Sequence, residues 1–67
     1  MDNGEVKRQT VERQIAQSHG QIARQLEIIE ALRLQGYPTD GAERRLAALK
    51  HALQFHQAHL ARLQNSN

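Results

Sequence analysis

Cysteine and tryptophan are absent from this chain of 67 residues, and phenylalanine, tyrosine and proline occur once each. Without thiols, neither a disulfide nor a thiolate zinc site can brace so small a protein, and nothing about redox compartment follows beyond compatibility with the cytosol. No apolar run approaches the roughly 20 residues that span a bilayer, and "MDNGEVKRQT" lacks the apolar stretch of a secretion signal. The expectation is a cytoplasmic protein without membrane contact. Alternating β-branched runs are also missing, so strands have no candidate.

The arrangements of residues that catalysis needs are missing too. There is no glycine-rich phosphate loop and no metalloprotease helix pattern. Ser18 precedes His19, but adjacent residues on a helix point about 100° apart and make no nucleophile and base pair. No enzyme, cofactor or small-molecule substrate is expected. Gly20, inside an apolar pattern, weakens the helix by about 1 kcal/mol relative to alanine unless its bare backbone admits a close neighbour.

One segment divides what remains. In "QGYPTDGAE", Gly36 can take the left-handed conformation that ends a helix, and Pro38 keeps it from resuming. Thr39 or Asp40 can cap the helix that follows, and Asp40 with Glu43 has capping-box spacing. Asp2 or Asn3 can cap the first. The chain therefore reads as a single all-α domain, a helix over about residues 3 to 35, a turn at 36 to 40 and a helix to about 64, with "QNSN" as a frayed end.

The first segment repeats every seven residues, as "RQIAQSH", "GQIARQL" and "EIIEALR", which aligns Ile15, Ile22 and Ile29. Val11, Leu26 and Leu32 extend this ridge, with Ser18, His19 and Gln25 as polar members. In the second segment Ala42, Leu46, Leu49, Leu53, His56, Leu60 and Leu63 recur at steps of four and three, a heptad seam. Beside it runs a second stripe, Ala48, Ala52, Phe55 and His59. One neighbouring helix is too narrow to cover both.

Two such helices with a short loop make an antiparallel hairpin, and the second stripe together with the small size predicts a homodimer, two hairpins forming a four-helix bundle. Phe55, His56, His59, Ala48 and Ala52 are the expected interface. The core is expected from Leu46, Leu49, Leu53, Leu60 and Leu63 with Ile15, Ile22, Leu26 and Ile29. Folding about Pro38 would oppose positions whose numbers add to about 77. That register brings His19 towards His56 and His59.

Three readings compete for such a histidine layer. A late transition metal accepts imidazoles, but cysteine is absent and no carboxylate follows Glu43 to complete a conventional site, so His19, His56 and His59 are weak ligand candidates and no metal is expected. A layer that senses pH is the second. Neutral histidines in a polar layer that sets register are the third and plainest.

The charge balance, nine Lys and Arg against seven Asp and Glu, is too even to argue for nucleic acid by itself. Its distribution says more. From Arg44 onward there are four Lys and Arg, three histidines and no acid, whereas residues 1 to 35 carry five basic and five acidic side chains. Arg44, His51 and Arg62, with Phe55 as a stacking ring, could meet phosphates and bases, which makes RNA or DNA binding the alternative function.

"GYPTDGAERRLAALKHALQFHQAHLARL", through Gly36, Thr39, Ala42, Glu43, His56, His59 and Leu63, resembles the C-terminal half of a class of short, functionally uncharacterised alphaproteobacterial proteins. That resemblance implies a bacterial cytosolic origin and supplies no activity or site. In outline alone the chain is also similar to Rop-type plasmid regulators, dimeric hairpins that bind paired RNA loops, which implies only the RNA alternative. The main expectation is a small self-associating interaction or regulatory module.

Overall fold

In a computed structural model that describes residues 3–65, two helices pack side by side as a hairpin. Helix α1 spans Asn3–Leu34 and helix α2 spans Asp40–Asn65. The rod they form extends 53 × 16 × 11 Å. Asp2 lies outside the described residues, Asn3 is the first helical one, and α2 continues through Gln64 and Asn65 rather than fraying there.

The turn follows from its residue types. Gly36 adopts φ 77°, the amide of Gly36 donates to the Arg33 carbonyl at 3.1 Å, and that of Tyr37 donates to the Leu32 carbonyl at 2.9 Å. These two bonds are the pair that closes a helix behind a left-handed residue. Tyr37 precedes proline and is held to extended backbone. Thr39 then caps α2. Its carbonyl accepts from the Glu43 amide at 2.8 Å and its hydroxyl donates to the Glu43 carboxylate. Glu43 thus pairs with Thr39, not with Asp40 as the capping-box spacing implied.

A hydrogen bond between the helices marks their register. The Gln25 side-chain amide donates to the Ala42 carbonyl at 2.9 Å. Helical carbonyls point one turn towards the C-terminus, so Gln25 sits level with Leu46 and opposed positions add to about 71. The expected value near 77 is displaced by roughly a turn and a half. Extended residues explain this, because they advance about 3.3 Å each against 1.5 Å in a helix. Tyr37, Pro38 and Thr39 therefore carry the chain back past about six helical residues of α1.

The seam on α1 is a regular heptad. Val11, Ser18, Gln25 and Ile29 are buried, and Ile15, Ile22 and Leu32 are half-buried. Leu26 is not a core residue, being 49% exposed, and His19 is exposed as well. Both Gln25 and Leu26 have the right spacing from Ile22 and Ile29, but only one set of companions can face inward. Choosing Leu26 would bring Glu12, His19 and Arg33 with it, whereas choosing Gln25 brings Val11, Ser18 and Leu32. Burying unpaired charges costs far more than burying one bonded amide, so the helix turns Gln25 inward.

Along α2 the expected leucines do face α1, but Leu46, Leu49, Leu53, Leu60 and Leu63 are only half-buried, and no described residue of α2 is fully buried. Gly20 is exposed and nothing lies within 4 Å of where its Cβ would be, so no close neighbour within the hairpin accounts for it. Among the described residues no helix is long and apolar enough to cross a membrane.

Candidate functional site

Two antiparallel helices that face each other present the same rotational side of their seams to the same face of the pair. Leu26 on α1 and Lys50 on α2 therefore share one flank of the hairpin, while Ile28 and Ala52 share the other. The charged residues divide between these flanks. Glu5, Glu12, Glu30, Asp40 and Glu43 all fall on the Leu26 flank, against Arg33 and Lys50. The Ile28 flank carries Lys7, Arg24, Arg45 and Arg62 and no acid among the described residues. All eleven side chains are exposed. Arg13, Glu27 and Arg44 lie on the outward backs of the helices.

The expected interface residues lie on or beside the basic flank. Phe55 is 61% exposed, Ala48 and Ala52 are exposed, and His59 is half-buried. Ile28, 40% exposed, adds an apolar side chain from α1. His56 belongs to the seam, level with Ile15, and its ring meets that of Phe55 edge-on at 5.9 Å and 73°. Its Nδ1 is enclosed without a hydrogen-bond partner. A buried imidazole nitrogen left unpaired is a local cost that either a neighbouring molecule or a small shift of the ring would relieve.

The three histidines do not converge. In the observed register His19 lies level with Ala52 and Leu53, and it points to the acidic flank while His59 points to the basic one. Among the described residues no group of three or more His, Cys, Asp or Glu side chains could hold a metal ion. Arg44, His51, Phe55 and Arg62 do share an outward edge of α2, all exposed. Arg24 and Arg45 sit beside that edge but are not among the expected contacts, because the spacing along α2 alone does not show which residues of α1 share its flank. The heptad positions carry that signal, but only once Gln25 rather than Leu26 is placed in the seam.

The amount of exposed surface is unusual for the mass. A compact monomer of 7.6 kDa exposes about 4,300 Å², whereas this hairpin exposes 5284 Å². The excess, about 1,000 Å², is comparable to the roughly 800 Å² that each partner buries in a standard protein interface. The Arg8 and Glu5 side chains approach to 3.5 Å within one helix, both well exposed, and such pairs contribute little.

No protein-family model matches the chain, and neither a curated protein nor a solved structure is significantly similar to it.

Proposed function

We propose that the chain is a small self-associating helical interaction module of the cytoplasm, non-catalytic, which completes its core by packing against further copies in a helical bundle. The observation that carries this reading is the surface excess over a compact monomer, together with a second helix on which no described residue is fully buried. Two seams of leucine and isoleucine form, yet among the described apolar residues only Val11 and Ile29 are buried. Covering the Phe55 flank would bury Ala48, Ala52 and Phe55 and would deepen His59 and His56 beneath it. A rod 16 by 11 Å across is too thin to enclose a small reactant, which supports a role in binding over one in catalysis.

Phe55 offers the direct test, because its ring contributes little to the hairpin itself. Phe55→Glu should keep helical circular dichroism while sedimentation shifts the protein to a lower mass. A wild-type chain that sediments as a folded 7.6 kDa monomer at high concentration would end this reading.

A further inference from the structure

We propose that the basic flank bearing Phe55 docks on the acidic flank bearing Leu26 of a second copy, so that the contact is head-to-tail rather than two-fold. This inference rests on self-association and names the surfaces that perform it. A two-fold dimer through the Phe55 flank would set Lys7, Arg24, Arg45 and Arg62 of one chain against the same four of the other, with no carboxylate of that flank between them. Pairing unlike flanks instead sets those four cations against a surface where five carboxylates outnumber Arg33, Lys50 and the Arg8 that pairs with Glu5.

The uncharged residues fit the same arrangement. Ala48 and Ala52 on the basic flank, and Ala16 and Ala23 on the acidic one, are small enough for helices to approach closely. Phe55 and Ile28 on one side and Leu26 on the other supply the exposed apolar area. A nucleic acid on the basic flank would leave Leu26 and the carboxylate-rich flank without a partner, so a second copy accounts for more of the surface. Because the two patches differ, each added copy presents a fresh one, and the product is a closed ring or an open stack.

Charge reversal on each flank separates the possibilities. Arg24→Glu with Arg45→Glu makes one double variant, and Glu12→Lys with Glu30→Lys makes the other, all at exposed positions that leave the seam and the α2 cap intact. Each alone should associate about tenfold or more weakly than wild type in sedimentation, and an equimolar mixture should recover assembly, with the two variants alternating in equal numbers. Raising salt from about 0.05 to 1 M should lower the average mass of the wild type, a measurement that needs no variant to fold.

A wild-type assembly that ignores salt would overturn the proposal. So would an arginine-reversed variant that self-associates as well as or better than wild type, the result that two-fold pairing requires. Binding of a 20-nucleotide RNA probe that disperses the wild-type assembly and is lost in the arginine-reversed variant would reassign the flank to nucleic acid. Failure of the wild type to associate at all would instead remove the self-association reading on which this inference stands.

Discussion

Gln25 is the most informative single position in the hairpin, because it is buried at 5% exposure and its amide makes the 2.9 Å bond that ties α1 to α2. Replacing it by leucine and by alanine separates what that bond contributes from what filling the site contributes. In Gln25→Leu, a carboxamide gives way to methyl groups facing Leu46, which adds about 1.5 kcal/mol of apolar burial at roughly 0.8 kcal/mol per carbon. The lost bond offsets about 1 kcal/mol. The Ala42 carbonyl is not orphaned, since it sits within the ladder of α2 itself. The net effect is a gain of about 0.5 kcal/mol or somewhat more, read as a melting temperature higher by about 2 to 5 °C.

Gln25→Ala loses the bond, one buried methylene and the carboxamide that fills the site, so it should cost about 2 kcal/mol, or roughly 10 °C. The assay is thermal denaturation followed by circular dichroism at one fixed protein concentration, because association makes the midpoint depend on concentration. The opposite signs of the two substitutions are the diagnostic. A Gln25→Leu variant that melts below wild type would refute the reasoning, by showing that the amide bond outweighs good packing at this layer.

Glycine gives two opposed outcomes in the same assay. Gly20→Ala should raise stability by about 1 kcal/mol, since it sits mid-helix with nothing near its Cβ. Gly36→Ala should lower it by about 1 to 2 kcal/mol, since a Cβ there meets open space but must adopt φ 77°. Thr39→Ala removes the hydroxyl that meets Glu43 at the start of α2 and should cost about 1 kcal/mol in the same melting experiment, whereas Thr39→Ser should cost little.

Local chemistry made much of this architecture legible without coordinates. Gly36 and Pro38 mark the turn because few other residues tolerate left-handed or fixed backbone there, and the leucine spacing of α2 marks its seam. The choice between Gln25 and Leu26 was not legible from spacing alone. Both satisfy a period of 3.5 residues, and the decision depends on which polar companions come along. The same rotation takes His19 out of the seam, and the histidine layer had a second requirement as well. It depended on register, which the loop decides by how much of it is extended rather than by how many residues it contains.

Taken alone, the order of amino acids determined the two helices, the turn between them and the heptad spacing on each, since all of these arise from interactions within a few residues. Tertiary packing decided that Gln25 faces inward and Leu26 outward, that opposed positions add to about 71, and that acidic and basic residues part onto separate flanks. Those outcomes depend on how one helix is rotated and raised against the other. Both quantities are set by the joint burial of a whole seam and by the extended descent through Tyr37, Pro38 and Thr39, and no short stretch of the chain contains either.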